Sequence, residues 1–297
     1  MPSTRDLRRR IKSVKNTAQI TKAMQLVAAA KMKKAQDQAT QGRPYADLMN
    51  KVLVSLKEQA GENTHPFFSP GKGEKTLVVV VTSDKGLCGA LNTNLLRKLT
   101  QTDFGADVEY VTIGRKGAGS LARLKKNLSA DFPIKDPARF LELRTVGKFL
   151  QDRFLTGEYC RLLVAFNNFV NTVTIIPSIE QLLPINTVTL GGKRSYEGMG
   201  AGEVEDASTG PVLEYTFEPS TGEVFATILP QYVNNTLYQM VLEARASEHS
   251  SRMVAMKNAT DNAKQMLKDL SLEYNKLRQA AITNELLEIT TSKMELE

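Results

Sequence analysis

From Gln231 to Glu297 the chain contains neither glycine nor proline, and the apolar pattern under that run reaches back to about Val224. A stretch so long without a breaker reads as one continuous helix, several times the roughly 11–12 residues of an average globular helix. At about 1.5 Å per residue it extends on the order of 100 Å, more than a small domain can enclose. Its apolar stripe therefore requires a partner helix. Ala263, Leu267, Leu270, Tyr274, Leu277 and Ala281 recur at alternating spacings of four and three, the a/d rhythm of a coiled coil. Upstream, Leu237, Met240, Val241, Ala244, Met256 and Ala259 form a less regular stripe. Downstream, Ile282, Leu286, Ile289 and Lys293 keep the spacing but slip by one residue.

The other end of the chain supplies the partner. Ser3 to Gln41 is also free of glycine and proline. Leu7, Ile11, Val14 and Ala18 set a stripe that Ile20, Met24 and Val27, then Ala28, Met32 and Ala35, continue. Ser3 or Thr4 can cap the start. Gly42 to Pro44 interrupts the pattern, and Leu48, Val52, Leu53 and Leu56 resume it, which predicts one long helix with a kink or a change of role near Pro44. Two terminal helices that leave one intervening domain pair antiparallel. The C-terminal arm is longer, so about 15 of its residues, or roughly 20 Å, project as a lone helix. Frequent alanines along both stripes allow close axes and a thin shaft.

Between the arms the texture changes. Gly61 to Lys75 reads as a linker. Thr76 to Thr82 is a continuous β-branched run, the mark of a strand covered on both faces. A turn at Ser83 to Gly89 leads to a helix over Asn92 to Thr100. A strand over Val108 to Ile113 follows, then a glycine turn, a helix over Ser120 to Lys126 and another over Pro137 to Phe154. Cys160 to Phe166 and Thr172 to Pro177 form an expected hairpin, with further short strands at Ile185 to Leu190 and Tyr215 to Phe217. Gly191 to Pro211 reads as a surface loop. The fold class is α/β: a small Rossmann-like domain inserted between long N- and C-terminal helices that pair as an antiparallel coiled coil. The expected domains are 1–60 and 223–297 for the helical arms and 61–222 for the α/β domain.

Charge narrows the function. The net charge is +7, and Arg5 to Lys34 holds ten basic residues against the single acid Asp6. Solvated helix faces usually mix signs, so the excess points to an acidic partner, either a protein surface or nucleic-acid phosphates. Tryptophan is absent and aromatics make up 6%, which gives little support to a base-stacking platform. Cys88 and Cys160 form no metal-ligand spacing, and His65 and His249 are isolated, so no metal and no cofactor are expected. No apolar run reaches the roughly 18 residues of a membrane span. The basic start leads into an amphipathic helix rather than a signal-peptide core, so a soluble cytoplasmic protein is expected. The turn within VVVVTSDKGLCGALNTN is neither GxGxxG nor GxxxxGK[ST]. Asp84 has no neighbouring acid or histidine, and no Ser-His-Asp order occurs, so the chain carries no catalytic residues of its own.

Three blocks then act together: RRRIKSVKNTAQITKAMQLVAAAKMKKAQ, SDKGLCGALN, and ASEHSSRMVAMKNATDNA with YNKLRQAAITNELLEI. In order and from end to end, they resemble the gamma subunits of F-type ATP synthases. That resemblance implies a non-catalytic subunit whose paired helices form the central rotor shaft within a hexamer of alpha and beta subunits. The α/β domain would stand on the epsilon subunit and the c-ring. Ion flow, of protons or sodium, would turn the shaft and set the nucleotide affinity of each beta subunit in turn. The membrane is met only peripherally, at the cytoplasmic face of a bacterial inner membrane, with no nucleic acid involved. A basic coiled-coil nucleic-acid-binding protein is the alternative.

The residues that match the family's partner-contact positions are Lys22, Met24, Lys85, Cys88, Arg252, Arg278, Gln279, Thr283 and Glu288. Met24 suits seam packing as well as contact, whereas the polar pair Arg278 and Gln279 beside the apolar stripe suits a bearing surface. The family signature ITxExxE is intact from Ile282 to Glu288, but Ser292 and Lys293 replace the Gly-Ala that usually follows. No cysteine pair occurs in Gly191 to Pro211, so the thiol switch of chloroplast relatives is not expected.

Overall fold

The computed structural model describes residues 3–60, 65–105, 107–185, 218 and 220–294. The expected strands at Ile185 to Leu190 and Tyr215 to Phe217, and the loop Gly191 to Pro211, lie almost wholly outside them. Two long helices, α1 (Thr4–Ala60) and α5 (Thr221–Met294), bracket a five-stranded sheet. The chain forms two compact units: a sheet unit of Ala29–Ser251, and a helical unit of Met1–Ala28 with Arg252–Glu297.

In the sheet unit the elements run β1 (Lys75–Val81), α2 (Leu91–Gln101), β2 (Val108–Ile113), α3 (Arg115–Arg123), β3 (Leu128–Phe132), α4 (Phe140–Leu155), β4 (Tyr159–Phe169) and β5 (Ile175–Leu183). The strand order is β3-β2-β1-β4-β5. β1 to β4 are parallel and β5 is antiparallel to β4, so the sheet is parallel with one antiparallel edge. β1 is central, and Thr76 to Val81 is buried throughout, which is why it reads as an unbroken β-branched run. Alternate residues face opposite layers. Val78 and Val80 pack with Leu95 and Leu99 of α2 and Leu121 of α3. Leu77, Val79 and Val81 belong to the opposite core, with Leu143, Val146 and Leu150 of α4, Ala35, Ala39 and Leu53 of α1, and Phe225, Leu229, Val233 and Leu237 of α5. Each large apolar side chain buried there contributes roughly 1.5–3 kcal/mol.

Three elements differ from the expected pattern. β5 runs Ile175–Leu183 rather than Thr172 to Pro177, because Asn171 Oδ1 accepts from Val173 N and Thr174 N and holds those residues in a turn. α3 begins at Arg115, not Ser120, so the residues expected to form a glycine turn are its first turns. Gly114 (φ 108°) precedes the helix, where a Cβ would stand 2.2 Å from Thr82 O, and a Cβ on Gly117 would stand 2.8 Å from Thr82 Oγ1. These glycines serve a close approach to β1. β3 was not foreseen, because LSADF lacks β-branched residues and lies at the edge of the sheet. It is held by a polar cluster under α4. Arg153 Nη1 donates to Glu109 Oε1 (3.3 Å) and Tyr159 Oη (2.9 Å), while Nη2 donates to Ser129 Oγ (3.0 Å). Burial and the neighbouring Glu109 carboxylate push the Tyr159 phenol up to about 12, so it stays a donor to Glu109 Oε2 at 2.7 Å.

In the helical unit Ser3 caps α1. Its Oγ accepts from Asp6 N (3.2 Å) and donates to Asp6 Oδ2 (2.8 Å). The seam on α1 is Leu7, Ile11, Val14, Ala18, Thr21 and Ala28, with Leu7, Thr21 and Ala28 buried. Ile20 and Val27, expected in the stripe, are 60% and 56% exposed. Thr21 takes the seam position because the strict heptad continues through it, and the apolar content of its neighbours misleads. On α5 the seam is Met256, Thr260, Ala263, Leu267, Leu270, Tyr274 and Leu277. Ala281 is exposed, as is every residue from Arg278 to Thr291. The reason is the antiparallel register. Thr260 Oγ1 lies 2.7 Å from Thr21 Oγ1, so the start of α1 falls level with Leu277 and the partner helix ends there.

The Thr21–Thr260 contact is a polar pair at a coiled-coil seam, and such pairs fix register. Replacing Thr21 alone with valine should lower stability by about 0.5–1.5 kcal/mol, because Thr260 Oγ1 then keeps only its bond to Met256 O. Replacing both should recover most of that loss. Chemical unfolding of the single and double variants measures the coupling.

Candidate partner-contact surface

Between Val233 and Ser250 nearly every residue of α5 is buried, yet the sequence there is polar: Asn234, Gln239, Glu243, Arg245, Ser247, Glu248, His249 and Ser250. Buried polar groups must find partners. Those found belong mainly to the carboxyl ends of the parallel strands. Past β1, Asp84 Oδ2 accepts from Arg245 Nη2 (3.3 Å) and Cys88 O accepts from Ser251 Oγ (2.6 Å). Past β3, Ile134 O accepts from Arg245 Nη2 (2.9 Å), and the Asp136 carboxylate stands 3.3 Å from His249 Nε2. On β4, Asn167 O accepts from Ser247 Oγ, and in the turn beyond it Thr172 O accepts from Ser250 Oγ, both at 2.9 Å. Asp84 Oδ1 also accepts from Arg115 N, past β2 (3.2 Å). One helical segment thus ties together the ends of β1, β3 and β4, and Asp84 carries the link on to the end of β2.

Arg245 is the centre of this arrangement. Its side chain is 5% exposed, and Nη1 donates to Glu248 Oε2 at 2.9 Å. Burial disfavours its charge, but the Glu248 and Asp84 carboxylates outweigh that and hold its pKa above the ordinary value. Nearby, hydrogen bonds from His249 and then Lys31, whose Nζ is 2.7 Å away, hold the Asp136 carboxyl well below the usual range despite its burial.

The loop fastened in this way carries Lys85 and Cys88. Lys85 is exposed, and its carbonyl accepts from Ser83 Oγ (2.8 Å). Cys88 is turned inward, with its thiol 3.5 Å from Asn92 Nδ2 and its carbonyl held by Ser251, so it positions the loop and does not face solvent. Leu87, which no sequence pattern singles out, is 62% exposed with φ 62°. A leucine in the left-handed region with its side chain in water is an unusual cost, of the kind found at contact sites.

In the helical unit Lys22 is exposed and bonds Gln25 Oε1 at 3.2 Å, while Met24 is half-buried beside the seam. Arg252 is half-buried. Arg278, Gln279, Thr283 and Glu288 are spread along the exposed end of α5, where Gln279 O accepts from Thr283 Oγ1 (2.9 Å). Ile282, Leu286, Leu287 and Ile289 lie on the same stretch and are 49% to 65% exposed. Ile282, Leu286 and Ile289 keep the downstream coiled-coil spacing, yet no helix among the described residues covers them, in line with an end of α5 that projects alone. With Leu287 they form an uncovered apolar surface of the kind that marks an interaction site. Among the described residues no cluster of metal-binding side chains occurs, and no helix is long and apolar enough to cross a membrane.

The arrangement of a mixed sheet between long terminal helices is that of rotor central-stalk subunits. A chain of the "central stalk/cring" structure of the Tetrahymena thermophila mitochondrial ATP synthase superposes with a TM-score of 0.58 at 25% identity, covering 81% of this chain and 99% of that one. A chain of the Euglena gracilis mitochondrial ATP synthase shares the fold, with a TM-score of 0.65 at 20% identity over 99% of this chain and 94% of that one. The ATP synthase family profile matches residues 3–294. The ATP synthase gamma chain of Opitutus terrae is 46% identical over 99% of this chain and 98% of its own length, and that of Akkermansia muciniphila is 47% identical over the whole of both. The chain belongs to the ATP synthase gamma chain family.

Replacing Arg245 with methionine should destabilise the chain by roughly 3–5 kcal/mol, since Asp84 and Glu248 keep buried charge without its counterpart. Denaturant unfolding reads the shift directly. Asp136→Asn should cost about 1–3 kcal/mol near neutral pH. A carboxyl with a depressed folded pKa stabilises above its unfolded value, about 3.9, and loses that contribution as pH falls through the folded value. The gap between wild type and Asp136→Asn should therefore persist down to about pH 4, shrink progressively below it and close only as the pH falls through the depressed folded value. A pH series of unfolding midpoints tests this.

Proposed function

We propose that this chain is the turning shaft of its ATP synthase, coupling rotation of the c-ring to nucleotide affinity changes in the beta subunits. The observation that carries this reading is α5 itself. A single helix is fastened to three strand ends through Arg245 to Ser251 and also presents an uncovered end from Arg278 to Thr291. The fastened segment takes up torque, and the uncovered end meets the surrounding alpha and beta subunits. A rotating asymmetric surface makes different contacts with each beta subunit, and such differential contacts are what shift a bistable element.

In this reading the contacts run through Lys22, Met24 and Arg252 along the paired helices, Lys85 in the β1–α2 loop, and Arg278, Gln279, Thr283 and Glu288 at the end of α5. Leu87 joins Lys85, and Cys88 holds their loop in place. Ten basic residues between Arg5 and Lys34 complement acidic loops of the beta subunits. The epsilon subunit and the c-ring take the sheet unit, the driving ion is a proton or sodium, and the complex sits at the cytoplasmic face of a bacterial inner membrane. Catalysis belongs to the partners.

Co-expression with the alpha and beta subunits of the same organism should give a complex of three alpha, three beta and one copy of this chain, with ATPase activity that the chain alone lacks. No complex, together with salt-sensitive RNA binding by the free chain, would transfer the basic helix to a nucleic-acid role. Within the membrane-bound complex, Met24→Lys should reduce ion pumping per ATP hydrolysed while leaving assembly intact, because it adds charge beside the beta-subunit loops. Unchanged coupling would limit Met24 to seam packing.

A further inference from the structure

β1 and β4 are neighbours, but the connections leaving their carboxyl ends go opposite ways, β1 towards β2 and β4 towards β5. In doubly wound sheets the crevice at such a switch point is where ligands bind. Here α5 fills it with its own side chains. One small cavity of about 10 Å³ remains, lined by Thr82 and Ser83 past β1, Asn167 on β4, and Ala244, Arg245 and Glu248 on α5. Two of these residues bring buried polar atoms that no group among the described residues satisfies: Arg245 Nε, which only donates, and Asn167 Oδ1, which only accepts. Both residues are more than nine-tenths buried, at 4% and 2% exposure.

An unpaired buried polar atom costs roughly 1–3 kcal/mol, so two on residues that line one cavity invite a common answer. The space matches the roughly 10–15 Å³ that a single water needs, and a buried water typically makes two to four hydrogen bonds. We propose that the switch-point cavity is a binding site for one ordered water. The water accepts from Arg245 Nε–H and donates to Asn167 Oδ1. Its second proton is directed to the Glu248 carboxylate, which lines the same cavity and whose Oε2 already accepts from Arg245 Nη1. An anion would satisfy Arg245 but would be repelled by Glu248 and the Asn167 oxygen, and a cation would be repelled by Arg245. Only a group that both accepts and donates suits all three. Through this water the guanidinium, already bonded past β1 and β3, also reaches β4.

A structure of the assembled complex at a resolution that shows ordered water tests the site. The expected result is a full-occupancy peak within hydrogen-bonding distance of both Arg245 Nε and Asn167 Oδ1. A dry cavity, an ion in place of water, or a direct bond from Arg245 Nε to a protein group would overturn the proposal. In an Asn167→Leu variant the peak should be lost, since the acceptor is gone and the added apolar volume fills the space. A peak that persists there unchanged would show that Asn167 does not hold the water. Should that variant fail to fold, the wild-type map decides alone.

Discussion

The structure depends on burying a polar helix against the open ends of parallel strands. Parallel strands finish with loops whose backbone carbonyls and carboxylates need partners, and in many α/β proteins a ligand supplies some of them. Here the partners are side chains of α5. Arg245 reaches Asp84 and Ile134 O, Ser247 reaches Asn167 O, and Ser250 and Ser251 reach Thr172 O and Cys88 O. Each bond contributes modestly, but leaving any of the groups unpaired in the interior would cost more than the bond gains. The set is therefore directional in a way apolar packing is not: a slide or rotation of α5 would unpair several groups at once.

That directionality suits a rotating shaft. Apolar contacts between Phe225, Leu229, Val233 and Leu237 and the sheet face supply the bulk of the stabilisation. They would tolerate small shifts of register, since hydrophobic attraction has little angular preference. The buried ion pairs and serine–carbonyl bonds do not. The glycines serve the same rigidity from the other side, with Gly114 and Gly117 letting α3 approach Thr82 closely enough for Gly117 N to donate to Thr82 Oγ1 at 2.8 Å.

Much of this was legible in the residues. The antiparallel coiled coil, the central strand, the hairpin and the parallel sheet all follow from periodicity and β-branched runs. The places where reading failed have a common cause. Ile20, Val27 and Ala281 look like seam residues by composition, but register excludes the first two and the end of the partner helix excludes the third. β3 was invisible because an edge strand needs few strong strand formers. Among the contact positions, Arg278, Gln279 and Thr283 stand out as polar residues beside an apolar stripe. Leu87 gave no signal, since a leucine's backbone angle is not written in its identity.

The sequence by itself determined the periodic features, because helical and strand repeats are local: two breaker-free helices, their heptad seam, the buried β1 and the basic face of α1. Only the tertiary structure decided which polar residues of α5 are structural. Ser247 to Ser251 reads as an interruption of the stripe, because the groups that its serines bond are far off in sequence. Ser247, Arg245 and Ser251 reach Asn167 O, Ile134 O and Cys88 O, from eighty to more than one hundred and sixty residues away. A hydrogen bond that depends on distance and angle across that separation cannot be read from spacing, and here it converts an apparent gap in the helix pattern into the point where the helix is held.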